Sequence, residues 1–543
     1  MAWRYRWGGC CGILRHWKAN IIIAVFRVDA SSQIGIGHVM RCLTLAELLR
    51  DRGADVRFLC REHAGNLARQ LRECAFNVDL LPISPTADPK AEDGAYSAWL
   101  GASESEDAEQ TIHAIRDSEV EWLIVDHYGI GVEWERKLRP HVRELLVVDD
   151  LANRPHSCDM LLDQNFFAED RKRYARLVDE RCRFLLGPRF ALLGAEYRDA
   201  RRRVPRRDGR IGRVLVFFGG TDPCNLTGMT LDALCVPGLR HLPVDVVMGV
   251  NNPHNAAVRK LAAGRPKTTI YGPQRHLADL MARADLAIGA GGVTTWERMI
   301  MGLPSVVITI AENQRPSTGS LAKAGLIAYV GHYDRVTRQD LTGAIRDAIS
   351  NPRDLSDISL KCCLLVDGCG ALRVLEIIQP TAADSLRLRV AQPDDVYRYF
   401  EWANDPDVRA QAVQTSLISI ESHERWFAAK LASPHAQLFV LMAGDLPVGQ
   451  IRFDREGNDY RVDYSIDRDY RGRTWASRLV ALGMSKSTAE RGARFVAEVR
   501  ENNLRSRAVF ARLGFRPQPS TRGDAFVEYR TDAVPEARAE GAP

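Results

Sequence analysis

Three stretches of this 543-residue chain combine residue types and spacings that could do chemistry. The first is QIGIGHVMR, where Gly35 and Gly37 lead to His38 at the start of a helical pattern. An imidazole titrates near neutral pH, so it can take or give a proton there, and the flanking glycines let a substrate come close. Arg41 follows one turn further on the same helix face, where it meets an anionic group or solvent. Asp29 ends the preceding apolar run and is expected to bond to the loop that carries His38, a structural role. His127 has no partner at metal-ligand spacing and reads as a satisfied strand-end histidine.

The second stretch is a pair of glycine clusters. VLVFFGGTDP leaves an apolar run through Gly219 and Gly220, and ADLAIGAGGVTTWERM leaves one through Gly289, Gly291 and Gly292, after which Thr294, Thr295 and Glu297 open a helix. Missing side chains let backbone amides approach a ligand. A helix N-terminus with small hydroxyl residues suits a diphosphate, and a carboxylate one turn in can accept from ribose hydroxyls. Neither cluster is GxxxxGK[ST] or a clean GxGxxG, but two at the ends of strands in one α/β series point to a nucleotide. The third stretch is YSIDRDYRGRTWASRL, whose turn between strand and helix offers consecutive amides to a pyrophosphate, with Arg471 and Arg473 adding charge.

The elements that must position these residues alternate. From Ile21, short β-branched runs (IIIAVFRVD, DVRFLC, EWLIVDHY, ELLVVDD) are interleaved with helical periodicity over about 39–52 and near 64–75, the pattern of parallel strands covered by helices. A second series runs through VLVFF, PVDVVMGV, TTIYG, ADLAIG, PSVVITI and LIAYVG. Between the two lies RDARRRVPRRDGRIGR, whose eight arginines, broken by aspartates, proline and glycines, read as a solvated linker rather than a nucleic-acid arm. Near 377–385 the pattern changes to an α+β order: helices around 394–410 and 420–432, three strands, a helix over 474–491, the strand RFVAEV and a helix over 504–513. The expected domains are therefore 21–195, 213–376 and 386–535, with a linker at 196–212, a second at 377–385, an N-terminal extension at 1–20 and a tail at 536–543.

Bulk composition narrows the class. Lys plus Arg exceed Asp plus Glu by 74 to 69, too small an excess for a protein built around nucleic acid. The twelve cysteines have no C-x-x-C spacing and stop at Cys369, which fits a reduced cytoplasmic protein and no metal site. No run is long and apolar enough for a membrane span.

The motifs FRVDASSQIGIGHVMRCLTLA, LIVDHYGI, VFFGGTDP, ADLAIGAGGVTTWE and GLPSVVITIAENQ, in this order, resemble the UDP-sugar hydrolases of pseudaminic acid biosynthesis over about residues 20–375. That family removes UDP from 2,4-diacetamido-2,4,6-trideoxy-β-L-altropyranose and is similar to GT-B glycosyltransferases such as MurG. The resemblance implies two Rossmann-like domains facing a cleft and a metal-independent hydrolysis. It further implies that His38 activates water, Tyr128 and Asn313 line the sugar site, and Gly292, Thr294 and Glu297 hold UDP. The loop at 471–476, with Asn503, Ser506 and the closing LGF, resembles the GNAT acetyltransferases over about 385–535 and implies acetyl-CoA as cosubstrate, held by Arg471, Gly472, Arg473, Thr474, Ala476, Asn503 and Ser506. Two positions depart from that family: Thr474 stands where the loop has its central glycine, and Phe510 where a tyrosine protonates the departing thiolate. An ammonium cannot attack a thioester, so a base is needed; Glu498 and Asp463 are the candidates and Ser465 a weaker one.

The expectation is an α/β chain with a GT-B-like pair of domains followed by a GNAT domain, which acetylates the 4-amino group of a UDP-linked amino sugar and hydrolyses the product. A GT-B glycosyltransferase fused to an unrelated acetyltransferase, and an inactive nucleotide-sugar binding protein, are the competing readings.

Overall fold

A computed structural model describes residues 21–31, 33–84, 96–487, 493–523 and 525–531. The expected N-terminal extension, the tail and the end of the 474–491 helix lie outside them. The first sheet contains β1 (Ile23–Val28), β2 (Asp55–Arg61), β3 (Asn77–Leu81), β4 (Val120–Asp126), β5 (Val142–Val148), β6 (Met160–Asp163) and β7 (Arg183–Leu186), in the order β3-β2-β1-β4-β5-β6-β7. From β3 to β6 every pairing is parallel. The central strands β1 and β4 are almost wholly buried, which is why they read as near-continuous apolar runs rather than as alternation.

The second sheet is built from β8 (Val214–Phe217), β9 (Val244–Val247), β10 (Thr268–Tyr271), β11 (Leu286–Ala290), β12 (Ser305–Thr309) and β13 (Ala328–His332), all parallel, in the order β10-β9-β8-β11-β12-β13. Both sheets therefore change winding direction once, between β1 and β4 in the first and between β8 and β11 in the second. Chains leaving the carboxyl ends of such a pair run to opposite sides and open a crevice for a ligand. His38 follows β1, and the two glycine clusters follow β8 and β11.

The third sheet holds β14 (Arg387–Val390), β15 (Ala436–Ala443), β16 (Leu446–Glu456), β17 (Asp459–Ile466), β18 (Arg494–Arg500), β19 (Arg516–Pro519) and β20 (Phe526–Thr531), in the order β14-β15-β16-β17-β18-β20-β19. Its pairings are antiparallel except that of β17 with β18, which is parallel and covers only Asp459–Arg461 against Arg494–Val496. Beyond that register the two strands part.

Residues group into two compact units, one running to Leu162 and including Arg173–Phe184, the other comprising Asp163–Lys172 and Leu185 onward. The second sheet and the third thus share a unit. The arginine-rich stretch expected as a solvated linker is folded: Ala195–Arg203 is a helix with Tyr197 and Ala200 buried, and Arg207 donates to the carbonyls of Ala284 and Met281. The helix expected over 394–410 is two helices, Val396–Ala403 and Pro406–Gln411. Proline forces the residue before it out of helical conformation, and Asp405 then caps the second helix through the amides of Asp407 and Val408.

Candidate functional site

His38 lies in the first turn of the Gly37–Asp51 helix, is 9% exposed, and meets Asp126 at the end of β4. The turn before it is closed by Ser31, whose hydroxyl accepts from Ile34 and whose carbonyl accepts from Gly35. Gly35 has φ +80°, a conformation glycine adopts without a Cβ clash. His38 Nδ1 donates to Asp126 Oδ1 at 2.6 Å. Arg41 Nε and Nη2 donate to the two oxygens of the same carboxylate, each at 2.6 Å, and Nη1 reaches Asp150 at 3.1 Å. Burial raises the cost of charge on Asp126, but Arg41 and His38 outweigh it and hold the carboxyl far below its usual range. An ionised Asp126 on Nδ1 leaves Nε2 as the basic nitrogen of His38.

Tyr128 packs edge-on against the imidazole, with ring centroids 4.6 Å apart, and is flanked by Trp99 and Tyr96. Arg41 thus faces two carboxylates inside the protein rather than solvent. Among the described residues, Asp29 accepts from the Arg27 guanidinium and the Arg61 amide rather than from the His38 loop as expected. His127 lies 3.3 Å from Asp29 and accepts from the Gly129 amide; burial pulls it down to about 4, so it is neutral. Asp126, the partner that sequence reading missed, sits 88 positions from His38. Its only sequence signal is a carboxylate at the end of an apolar strand, in the quoted LIVDHY.

In the second unit the two glycine clusters differ. After β8, the helix Leu226–Leu234 is closed by protein groups, since Asp222 accepts from the amides of Leu226 and Thr227 and Asn225 from that of Gly228. A Cβ added at Gly219 or Gly220 would meet nothing within 4 Å, whereas one at Gly249 would lie 1.9 Å from the Gly220 carbonyl oxygen. After β11, a Cβ at Gly291 would fall 2.8 Å from Thr318 Oγ1, and Gly292 has φ +97°. The helix Thr294–Ile300 that follows has no side-chain cap, although the amides of Thr295 and Trp296 already donate to the carbonyls of Gly292 and Val293. One turn in, burial pushes the Glu297 carboxyl up to about 7, against a hydrogen bond from Tyr197 that lowers it. Asn313 precedes the Gln314–Lys323 helix after β12.

The parting of β17 and β18 opens a cavity of about 1070 Å³. Its walls include Asp463, Tyr464, Arg471, Gly472, Thr474, Ala476, Glu498, Asn503 and Ser506. Arg471, however, donates to Asp405 at 2.7 Å, to Asp407 at 2.8 Å and to the Ile466 carbonyl. Arg473 lies over Tyr470 and Trp475 and turns to Glu376, 3.4 Å away. Both guanidinium groups expected to add charge for a pyrophosphate are thus paired with carboxylates, Arg471 while lining the cavity. Asn503 caps the Leu504–Arg512 helix through the Ser506 amide.

Of the two base candidates, Glu498 accepts from Ser520 at 2.7 Å and from Arg522 at 2.5 Å, whereas the Asp463 side chain is 56% exposed and accepts from Gln450 at 3.0 Å. Ser465 is buried beside it. Phe510 is buried against Tyr464, whose hydroxyl lies 2.9 Å from Ser506 Oγ. Sequence reading did not single out Tyr464.

Thr474 adopts φ +61°, a left-handed conformation that costs a residue with a Cβ about 1–2 kcal/mol. The loop thus keeps the glycine backbone without the glycine. Thr474→Gly is expected to raise stability by about 1 kcal/mol, read as a higher urea midpoint at unchanged slope; an unchanged or lower midpoint refutes the strain.

Residues 385–516 match the acetyltransferase (GNAT) domain family, so the C-terminal part carries a GNAT domain. The N-terminal part is 28% identical over 304 residues to the UDP-2,4-diacetamido-2,4,6-trideoxy-β-L-altropyranose hydrolase of Campylobacter jejuni, a match covering 55% of this chain and 96% of that protein. An uncharacterised protein of Methanocaldococcus jannaschii is 21% identical over 522 residues, 92% of this chain and 98% of its own length. Among solved structures, MurG of Acinetobacter baumannii aligns with 14% identity and a TM-score of 0.46, covering 66% of this chain and 99% of that one.

Proposed function

We propose that this chain is a bifunctional sugar-nucleotide enzyme: its C-terminal domain acetylates the 4-amino group of a UDP-linked amino sugar with acetyl-CoA, and its N-terminal part hydrolyses the diacetamido product to free sugar and UDP. The observation that carries the hydrolase half is the His38–Asp126 pair at the winding switch of the first sheet. Asp126 orients the imidazole and stabilises the imidazolium formed when Nε2 takes a proton from water. The hydroxide equivalent attacks the anomeric carbon, the C–O bond to the β-phosphate breaks, and the electron pair leaves with UDP. UDP needs no strong acid as leaving group when amides at a helix N-terminus take up its charge. Tyr128 and Asn313 are the proposed sugar contacts, and Gly35 and Gly37 give the substrate room at His38. Arg41 acts as a positioning residue on Asp126. UDP falls to Gly219, Gly220, Gly291, Gly292, Thr294 and Glu297.

In the acetyltransferase half, Asp463 takes the proton of the attacking amine, directly or through water. The nitrogen bonds to the thioester carbonyl, and collapse of the adduct expels the CoA thiolate. The Tyr464 hydroxyl, held against Ser506, is the acid in the cavity for that thiolate; burial keeps the phenol protonated.

The deciding experiment is incubation with the UDP-4-amino sugar, with and without acetyl-CoA, following acetylation and UDP release by mass spectrometry. UDP release that requires a second sugar or lipid acceptor refutes the hydrolase in favour of a glycosyltransferase, and acetyl-CoA left unconsumed refutes the second half. Acetylation undiminished in Tyr464→Phe removes Tyr464 from the mechanism.

Glu297 supplies a pH signature. Ribose hydroxyls donate to the ionised carboxylate, so bound nucleotide lowers its pKa from about 7. A nonhydrolysable UDP-sugar, whose diphosphate diester does not titrate near neutrality, is expected to release a proton on binding at pH 6.5 and to bind more tightly as pH rises from 6 to 8. Calorimetry in buffers of different ionisation enthalpy reads this directly. Proton release that persists in Glu297→Gln disproves the assignment.

A further inference from the structure

We infer that the loop of the C-terminal domain assigned to acetyl-CoA is held in its binding shape by two residues outside that domain, Arg189 and Glu376, which makes acetyl transfer dependent on the preceding α/β part. The inference rests on the acetyl-CoA reading of the cavity.

The loop between β17 and the Trp475–Lys486 helix has two fastened ends. At its start, Asp467 is 2% exposed and accepts from the Asp469 amide to form the turn Arg468–Tyr470. Arg189, some 280 positions earlier, donates from Nη2 to both oxygens of Asp467 at 2.8 Å, from Nε to Asp469 at 2.9 Å, and from Nη1 to Glu401. Its side chain is 16% exposed. A guanidinium is the side chain whose donors can hold three carboxylates in one plane. Within the C-terminal domain the Asp467 carboxylate accepts from Trp402 Nε1 at 3.0 Å as well as from the Asp469 amide.

At the loop's far end, Glu376 draws Arg473 away from the cavity. Glu376 is wholly buried and is fixed by the amide and hydroxyl of Thr381 at 2.8 and 2.6 Å. Tyr470 and Trp475, stacked 5.7 Å apart, lie under the same Arg473. One helix, Gly370–Ile378, serves both ends, because it carries Glu376 and also Arg373, which donates to the Arg189 carbonyl at 2.8 Å. That helix is seated closely on the Arg189 segment: a Cβ at Gly370 would lie 2.3 Å from the Ala191 carbonyl oxygen.

Arg189 and Glu376 both precede the GNAT match at 385–516 and neither lines the cavity. They act through the loop, as positioning residues. A phosphate seat made of amides works only while the amides converge, and displacement of such a group by about 1 Å can cost about a hundredfold.

The test uses the full chain with Arg189→Ala, Arg189→Lys and Glu376→Gln. Acetyl-CoA affinity is measured by calorimetry, UDP release from the UDP-linked diacetamido sugar by mass spectrometry, and loop opening by amide hydrogen exchange over residues 467–476. In Arg189→Ala and Glu376→Gln, acetyl-CoA is expected to bind about tenfold more weakly or worse and the loop amides to exchange faster, with hydrolysis unchanged. Arg189→Lys should fall between, since an ammonium meets one carboxylate where the fork meets three. A folded, hydrolytically active Arg189→Ala with wild-type affinity and exchange overturns the inference. Should Arg189→Ala not fold, Asp469→Asn removes only the half-exposed partner; a smaller shift in the same direction supports the inference and no shift overturns it. Wild-type protein that binds no acetyl-CoA overturns the acetyl-CoA reading instead, and loop exchange in the variants still decides whether Arg189 and Glu376 hold the loop.

Discussion

Asp126→Asn is expected to slow UDP release about 10²–10⁴-fold with little change in substrate affinity. The amide keeps the shape of the carboxylate but not its charge. In the native arrangement Asp126 accepts from His38 Nδ1 at 2.6 Å while Arg41 donates to both of its oxygens. An amide presenting N–H to Nδ1 reverses the tautomer, placing the proton on Nε2, where the base is required. It also leaves Arg41 facing a neutral group, with Asp150 as its remaining carboxylate. His38→Ala should lose at least as much rate, and the double variant little more than the worse single one, because the two residues act as a unit. Turnover within threefold of wild type in Asp126→Asn defeats the proposed mechanism. Nucleotide binding measured on the same variant separates this from loss of the fold.

The largest effect on stability is expected at Asp107, away from any proposed chemistry. Asp107 lies in the Glu104–Ile115 helix and is wholly buried. It accepts from Arg27 Nε at 3.1 Å and Nη2 at 2.6 Å, from Arg61, and from Trp134 Nε1 at 2.9 Å. Arg27 and Arg61 are themselves fully buried. Removing the negative charge leaves two buried guanidinium groups, Arg27 with Asp29 as its remaining carboxylate and Arg61 with the neutral oxygens of Pro82 and Gln110. Loss of one partner from such a cluster costs about 3–5 kcal/mol, so Asp107→Asn should shift the unfolding transition of the first unit by about that much. A loss under 1 kcal/mol contradicts the account.

The same residue predicts a pH dependence. Burial raises the Asp107 carboxyl, but the facing arginines outweigh it and hold it down to about 2. A carboxylate depressed in the folded state contributes stability above its unfolded pKa of about 4, and that contribution is lost as pH falls towards 2. Wild type should therefore lose stability between about pH 4 and 2 more steeply than Asp107→Asn, as followed by urea midpoints across that range.

Much of the architecture was legible because buried parallel strands declare themselves as apolar runs ending in glycine or aspartate. Each of the six runs quoted for the second series is a strand of the second sheet. Local geometry was legible for the same reason: the turn at Gly35, the helix start at Thr294 and the loop at Gly472 each depend on residues adjacent in sequence. Where reading failed, competing local rules were responsible. A helix over 394–410 ignored the extended conformation that Pro406 imposes on Asp405, and an arginine-rich stretch read as a solvated linker keeps Arg202, Arg203 and Arg210 exposed but also holds the Ala195–Arg203 helix and an Arg207 guanidinium absorbed by backbone carbonyls.

By itself, then, the sequence determined which segments are strands, where glycine permits a close backbone approach, and that His38 stands at the start of a helix. Only the tertiary structure decided which charges pair. Strand order brings the end of β4 beside β1 and so joins Asp126 to His38 across 88 positions, and domain packing joins Arg189 to Asp467 across 278. Conformational preference acts over a few residues and is written in their order, whereas Coulombic pairing depends on distance in space and on burial, which exist only after the chain has folded.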